Sequence, residues 1–449
     1  MRVGLRVGIG AALCLALALL SGCGANEADV DELSQAFESP GRKSGSPKTD
    51  ERLRLRALEV LGASARSTSP DIRAAAADGL GASRSKSAGE LAAQLLSDPS
   101  ASVRASAAAA IALTKPGGAA KSLLGMLSDP DERVGDAASW ALTMVPSARV
   151  TAELRRIALG PGGSRQRQRA ALLLGRMKSK GSETLLARLT ASDDAAIAAA
   201  AAAALGYLGD GRGTASLSRF ADAGFPVGVR LIAAEGFSRV GSPVAVVELR
   251  KMLSDDPSPR VRAAAASGLG IAGAEGSVWQ LLHGMSDSSV RVRIAAAEAL
   301  GRLGDERAIK VLRKNLMKGP AWAKARAARA LGSFKADAAR DALAAAARSP
   351  DGLVAVHALG SLTRMGESGS AGRLRRLLSS PDSSLRTEAA TILGGAGSDD
   401  DTTVLAKLLD DPKSHVRVAA AVAVMKLIDP GRLAASGKKA RSRPLRWAH

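Results

Sequence analysis

One hydrophobic pattern recurs twelve times between Arg73 and Leu427. Each copy has a position usually held by Arg, with Ala three residues after it and a large apolar residue seven residues after it. Residues spaced by four lie on one face of an α-helix, and the small Ala lets a neighbouring backbone approach closely. The pattern therefore predicts twelve similar, tightly packed helices, with the Arg position at Arg73, Arg104, Gly135, Arg167, Ala198, Arg230, Arg262, Arg293, Lys324, Ala355, Arg386 and Arg417.

A second apolar pattern lies between successive copies, as in Leu91, Leu95 and Leu96, and it ends in a breaker such as Asp98-Pro99. Proline and the residue before it do not continue a helix, so the chain must stop one helix there and begin another. Each copy is thus one half of a helical hairpin. A single hairpin cannot close a core, so the sequence predicts an all-α α-solenoid over residues 51–430.

The segments from Asp98 to Arg104 and from Asp411 to Arg417, each followed by Ala and Leu or Val, resemble bacterial HEAT repeats of the short type found in phycobilisome lyase subunits. The resemblance implies a right-handed superhelix of about twelve HEAT-like hairpins. It implies little about function, because this architecture supports many unrelated activities.

In HEAT repeats an Asp at the turn pairs with an Arg six residues later, and the pairs form a ladder between units. The resemblance implies such pairs at Asp98/Arg104, Asp256/Arg262, Asp287/Arg293 and Asp411/Arg417. In other units the acid is absent, so the Arg could bind another partner or, alternatively, cap helix carbonyls. The units without the acid include Arg167, Arg230 and Arg386.

The chain begins with Arg2 and Arg6, an apolar run over residues 7–20, and Leu20-Ser21-Gly22-Cys23. A basic start, a short apolar core and small residues before a cleavage point are typical of a secretory signal. The Leu-Ser-Gly-Cys ending resembles a bacterial lipobox, which implies a signal peptide over residues 1–22 and lipidation of Cys23. The alternatives are a simple membrane anchor or an ordinary signal with an incidental cysteine.

Two further segments flank the predicted solenoid. Residues 23–50 are rich in Ser, Pro and Gly and predict a flexible tether, whereas residues 431–449 form a basic tail that could contact anionic lipid or an acidic partner. Gly24 follows the predicted lipidated cysteine, so the lipoprotein sorting rule favours the outer membrane, facing the periplasm. The expected localisation is therefore the cell envelope.

The formal net charge is +20, which raises the question of a nucleic-acid partner. Much of the excess belongs to the periodic Arg positions and to the tail, and aromatic residues are only 2% of the chain, too few for base stacking. We therefore expect no nucleic acid and no small-molecule substrate.

The sequence gives little support for catalysis. Its four histidines, His283, His357, His415 and His449, lie far apart, and no phosphate-binding loop or metal-ligand spacing is present. The expectation is a protein without a catalytic site, metal or cofactor. The alternative is an enzyme or enzyme subunit of the HEAT-repeat lyase or hydroxylase type.

The remaining functional candidate is a surface. On the second helix of each hairpin, the residues five and nine positions after the Arg position lie away from the core, on the face that is concave in HEAT solenoids. We predict that a protein or peptide partner binds there, with seven candidate contact residues: Trp140, Arg176, Tyr207, Arg239, Arg302, Arg329 and Arg364.

Each candidate also has a structural alternative. Trp140 could simply fill the gap left by Gly135, and Glu235/Arg239 and Glu298/Arg302 could be ordinary surface pairs one helical turn apart.

Overall fold

A computed structural model describes residues 47–428, apart from residues 335, 368 and 399–400. The predicted signal peptide with Cys23, most of the predicted tether and the basic tail lie outside the described residues. Over the described range the chain forms 24 α-helices and no β-strand. The prediction of an all-α solenoid of about twelve helical hairpins is confirmed.

The helices alternate between the first and the second helix of a hairpin, and the repeated pattern falls on the even-numbered helices. The contacts divide the chain into two compact units, of which unit 1 comprises Met1–Ala119 with Pro381–His449 and unit 2 comprises Ala120–Ser380. The helices of unit 1 are α1 Pro47–Ser64, α2 Pro70–Ala82, α3 Lys86–Gln94, α4 Ala101–Thr114, α22 Ser383–Ala396, α23 Asp401–Lys407 and α24 Ser414–Ile428.

Unit 2 holds the eight complete hairpins in the middle of the chain. Its helices, the first of which begins one residue before the unit, are α5 Ala119–Gly125, α6 Glu132–Met144, α7 Ala148–Leu159, α8 Ser164–Arg176, α9 Glu183–Leu189, α10 Ala195–Tyr207, α11 Gly211–Ser218, α12 Val227–Val240, α13 Pro243–Asp255, α14 Pro259–Ile271, α15 Val278–Gly284, α16 Val290–Arg302, α17 Ala308–Lys318, α18 Ala321–Leu331, α19 Asp337–Ala346, α20 Gly352–Arg364 and α21 Ser370–Leu377.

The repeated pattern forms the core, as its spacing predicts. The alanine three residues after the Arg position is 0% exposed in all twelve even-numbered helices, from Ala76 to Ala420. The apolar residue four positions further on is at most 3% exposed in every hairpin, from Leu80 to Val424. Burial of these side chains removes apolar surface from water and is the main force that holds the hairpins together.

Glycines that follow the buried apolar residue allow even-numbered helices to pack closely. A Cβ atom added at Gly270 would lie 2.7 Å from the Cα atom of Ala299, and one at Gly394 would lie 2.5 Å from the Cα atom of Ala423. These glycines therefore lie where the backbones of consecutive even-numbered helices touch.

A ladder of ion pairs joins consecutive hairpins. Arg73 of α2 donates from Nε and Nη2 to both carboxylate oxygens of Asp98 in the next hairpin, at 2.7 and 2.8 Å, and from Nη1 to the carbonyl oxygen of Ser67, at 2.8 Å. Asp98 also accepts a hydrogen bond from the Ser100 amide at 2.8 Å. The same arrangement of cation and next-hairpin acid recurs at Arg230–Asp256, Arg262–Asp287, Lys324–Asp351 and Arg386–Asp411.

The predicted pairing of each Asp with the Arg six residues later is therefore wrong. Arg104 donates to the carbonyl oxygen of Asp98, at 2.9 Å, and Arg262 donates in the same way to the carbonyl oxygen of Asp256. Two arginines that lacked an acid at this spacing, Arg230 and Arg386, are paired with the acid of the following hairpin and are not free. Arg167 donates to the Ala158 carbonyl oxygen at 3.2 Å, as the capping alternative predicts.

Unit 1 brings together the first and last hairpins of the described chain. Helices α1 and α2 both pack on α24. A Cβ atom at Gly79 of α2 would lie 2.9 Å from Cγ2 of Val422 on α24, and Arg56 of α1 forms an ion pair with Asp410. The first hairpin therefore covers apolar surface that the last one would otherwise expose.

Among the helices of residues 47–428, none is both long enough and apolar enough to cross a membrane.

Candidate binding surface

All seven candidate contact residues lie on even-numbered helices of unit 2. We call the residues five and nine positions after the Arg position in this unit the +5/+9 stripe. Its members differ in exposure: Trp140, Arg176 and Tyr207 are half-buried, whereas Arg239, Arg302, Arg329 and Arg364 are exposed. The contacts divide the stripe into three parts.

The first part surrounds Trp140 on α6. A Cβ atom at Gly135 would lie 2.7 Å from Nε of Arg169, a buried side chain contributed by the next hairpin. The Arg169 guanidinium donates to the carbonyl oxygens of Leu127 and Glu132, each at 3.0 Å. Arg169 therefore occupies the space beside Gly135, and the alternative in which Trp140 fills that gap is wrong.

Two apolar residues of the stripe were present in the sequence pattern but were not among the candidates. Met144 on α6 is 37% exposed and Ile271 on α14 is 46% exposed, and each lies nine positions after its Arg position. Met144 follows Trp140 by one helical turn, so the two side chains lie on the same face of α6. Their common offset is the signal that could have identified them.

The second part of the stripe is a cluster of four residues around Glu235 on α12. Glu235 forms ion pairs with Arg176 of α8 and with Arg239 of its own helix, the latter with an Nε–Oε1 distance of 3.3 Å. The Arg239 guanidinium carbon lies 5.9 Å from the centre of the Tyr207 ring on α10, within the range of a cation–π contact. Two candidate arginines therefore share the carboxylate of Glu235. The Glu235/Arg239 alternative predicts one of these two ion pairs, and the pair with Arg176 is additional.

The Arg176–Glu235 ion pair reaches across three even-numbered helices. Arg176 lies on α8 and Glu235 on α12, and α10 lies between them along the chain. The pair therefore links two hairpins that are not consecutive in the sequence.

Two polar atoms in the cluster are buried without a hydrogen bond among the described residues. They are the hydroxyl oxygen of Tyr207 and Nε of Arg176. Burial raises the pKa of Tyr207 above its ordinary value, and the neighbouring Glu235 charge raises it further. Burial alone would lower the pKa of Arg176, but the charge and the hydrogen bond of Glu235, together with the charges of Tyr207 and Asp136, outweigh it and raise the pKa. The phenol is thus neutral and the guanidinium charged at neutral pH.

The third part of the stripe is an arginine triad: Arg302 on α16, Arg329 on α18 and Arg364 on α20. None of the three has a carboxylate partner within the described residues. Glu298, the acid expected to pair with Arg302, instead binds Arg326 of the next hairpin, with an Nε–Oε1 distance of 2.9 Å. The expected Glu298/Arg302 pair is therefore wrong, because Arg326 approaches Glu298 from the neighbouring helix.

Two members of the triad, Arg329 and Arg364, lie close enough for their positive charges to interact. Partial desolvation lowers the pKa of Arg364 below its ordinary value, and the like charge of Arg329 lowers it further. One guanidinium nitrogen of Arg364 donates to the hydroxyl oxygen of Ser361 at 2.7 Å, and Ser361 donates in turn to the Ala328 carbonyl oxygen. This contact orients Arg364 while its other N–H donors stay available.

In the part of the chain that the structure describes, no group of three or more His, Cys, Asp or Glu residues is arranged to hold a metal ion.

Sequence comparison identifies HEAT repeats in four segments of the chain, at residues 88–175, 182–270, 246–332 and 370–435. These segments span well over half of the sequence. No curated protein matches the chain in sequence.

Solved structures with a similar helical arrangement have low sequence identity and show similarity of fold alone. YibA of Escherichia coli is 18% identical, with a TM-score of 0.32, over 61% of this chain and 92% of YibA. The complex of CpcE and CpcF of the phycocyanin lyase from Nostoc is 22% identical, with a TM-score of 0.29, over 64% and 91%. Human deoxyhypusine hydroxylase is 21% identical, with a TM-score of 0.24, over 54% and 94%.

Proposed function

Because the chain belongs to the HEAT-repeat family, we propose that it is a non-enzymatic scaffold that binds a segment of another protein along the +5/+9 stripe. The observation that carries this proposal is the register of the surface. Among the described residues of unit 2, large apolar side chains and cations without a carboxylate partner occur at the same two offsets in several hairpins. Such a surface suits an extended partner that contacts several hairpins at once.

The apolar end of the stripe supports a protein partner. Trp140 is half-buried and Met144 is exposed on the same face of α6, although Arg169 already fills the space beside Gly135. Trp, Met and Arg are enriched at protein interfaces, and Trp in particular contributes much of the binding energy. Trp140 is therefore the residue from which we expect the largest single contribution.

Affinity capture from detergent-solubilised membranes tests this proposal. The wild-type chain is expected to recover a defined partner, and Trp140→Ala is expected to reduce recovery about tenfold or more, because loss of a central aromatic anchor costs about 2 kcal/mol or more. Trp279→Ala is the matched control, since Trp279 is 71% exposed on the odd-numbered helix α15. Equal recovery by both variants would contradict binding along the stripe.

We also propose that Cys23 is lipidated and holds the protein in the cell envelope, in the outer membrane facing the periplasm. The support is the sequence Leu20-Ser21-Gly22-Cys23 after a short apolar run. Metabolic labelling with a fatty acid should fail for Cys23→Ala and succeed for Cys14→Ala, because the lipobox cysteine is the acylated one. Labelling of the Cys23 variant would show that this part of the proposal is wrong.

The purified chain also tests the non-enzymatic part of the proposal. Metal analysis and an absorption spectrum would reveal iron or a bound tetrapyrrole. Either one, in stoichiometric amount, would favour the alternative of an enzyme subunit of the lyase or hydroxylase type.

A further inference from the structure

The arginine triad differs from every other part of the +5/+9 stripe in its charge balance. In the Glu235 cluster the cations of Arg176 and Arg239 are neutralised by an acid of the protein itself. In the triad, the acid one helical turn before Arg302 is Glu298, and it is bound by Arg326, which lies outside the stripe. Positive charge on this part of the surface is therefore left for a partner to neutralise.

The three guanidinium groups of the triad take no part in the ladder that joins the described hairpins. The arginines of the ladder, such as Arg230 and Arg262, bind both an acid and turn carbonyls and thereby join hairpins. The triad arginines make no such link in the described residues, and Arg329 is close enough to Arg364 to lower its pKa. Like charges held near each other destabilise a fold slightly, so their placement is better explained by a ligand.

We propose that the triad binds an acidic segment of the protein partner, with carboxylate side chains that reach Arg302, Arg329 and Arg364. This inference rests on the proposed function and specifies the partner's chemistry. The planar guanidinium group matches a carboxylate with two parallel hydrogen bonds. In Arg364 the bond to Ser361 already fixes part of that geometry.

The spacing of the hairpins limits the sequence of that segment. The helices α16, α18 and α20 pack in succession, and such neighbours are about 8–10 Å apart. A chain in the polyproline II conformation has three residues per turn and rises about 3.1 Å per residue, so side chains three residues apart lie on the same face about 9 Å apart. The segment is therefore expected to carry Asp or Glu at about every third residue.

A protein segment fits the triad better than a nucleic acid does. Single-stranded nucleic acid is bound by basic grooves that also offer aromatic rings for stacking. None of the triad arginines is paired with a ring in the described structure, whereas Tyr207 and Trp322 already contact Arg239 and Arg291. The triad therefore offers charge and hydrogen bonds without a stacking platform.

Fluorescence anisotropy with the full chain tests the proposal directly. The probe is a labelled peptide with Glu at every third position, and the comparison peptide has the same composition in scrambled order. We expect the spaced peptide to bind more tightly and its affinity to fall as salt is raised, since exposed ion pairs are screened. The triple variant Arg302→Gln, Arg329→Gln, Arg364→Gln is expected to weaken its binding about tenfold.

The matched control is Lys310→Gln, Arg313→Gln, Lys314→Gln, which removes the same charge from exposed positions on the odd-numbered helix α17. It should change affinity less than about twofold, because these residues lie off the stripe. Equal weakening by both triple variants would overturn the proposal, since net charge alone would then explain binding. The proposal would also be overturned if single-stranded DNA or anionic vesicles bound more tightly than the peptide and this binding depended on the triad.

Capture from membranes with the triad variant separates this inference from the proposed function. One outcome is that recovery of the partner depends on Trp140 while the triad variant recovers the partner normally. In that case the proposal of an acidic partner segment is wrong and the proposed scaffold function stands. If recovery is insensitive to Trp140 and to the triad, both are wrong. Loss of recovery with the Trp140 variant and also with the triad variant, at unchanged helix content by circular dichroism, supports both.

Discussion

Small residues determine how closely the even-numbered helices can approach one another. At Gly270, as at Gly394, the missing side chain is the space into which the next even-numbered helix packs, because a Cβ atom would reach the backbone of Ala299. Well-packed interiors respond to a single added methyl group when the neighbouring atoms cannot move, and backbone atoms move least. The distance between the exposed faces of neighbouring helices is therefore set in part by buried glycines.

Replacing Gly270 with Ala should destabilise the protein by about 1–3 kcal/mol, through the clash with the α16 backbone. The matched substitution Gly372→Ala lies on α21, where an added Cβ atom meets nothing within 4 Å. It should leave stability unchanged or raise it by up to about 1 kcal/mol, because Ala is the better helix former. Thermal denaturation followed by circular dichroism measures both, and equal effects would contradict a role for close packing.

The core residues could be read from the sequence because each depends on local spacing alone. The site residues could be predicted only in part. Position along the pattern placed Trp140 and Arg302 on the stripe, but it did not predict the long side chain that lies beside each residue's helix. Arg169 and Arg326 come from a neighbouring helix, and a spacing within one helix contains no information about which long side chain arrives from the next.

At the scale of whole elements, the twelve hairpins follow from one pattern, whereas the links between hairpins do not. The ladder acid was assigned to the Arg six residues later, on the helix that it precedes. In the structure that Arg binds the turn's carbonyl oxygens, and the carboxylate faces the preceding hairpin's Arg, as in Arg262–Asp287. Both assignments use the same residues of the sequence, so only the stacking of hairpins decides between them.

The sequence pattern also did not predict the contact in unit 1 between the two ends of the described chain. The repeats indicate that every hairpin needs a neighbour on each side. They do not indicate that the first hairpin and α24 serve as neighbours for each other, as the contact of Gly79 with Val422 shows within unit 1. This contact joins residues far apart in the sequence, and no single repeat encodes it.

At the scale of the whole molecule, the ladder couples stability to pH. The hydrogen bond from Arg73 lowers the pKa of Asp98, and the hydrogen bond from Arg262 lowers the pKa of Asp287. A carboxyl group whose pKa is lower in the folded state than in the unfolded state binds its proton more readily after unfolding. Its stabilising effect is complete above the unfolded pKa of about 4 and is lost as the pH falls through the folded value.

Since the ladder recurs in both units, the free energy of unfolding should be nearly constant around neutral pH and fall steeply below about pH 4. The double variant Asp98→Asn, Asp287→Asn should be less stable than the wild type at pH 7, and the difference should shrink as the pH is lowered, because the wild-type carboxylates then become protonated.

Asp341→Asn, at an exposed position on α19, is the control and should leave the pH profile unchanged. Urea denaturation at a series of pH values measures all three proteins. A constant difference between the double variant and the wild type from neutral to acidic pH would show that these carboxylates stabilise the hairpins by packing rather than by charge.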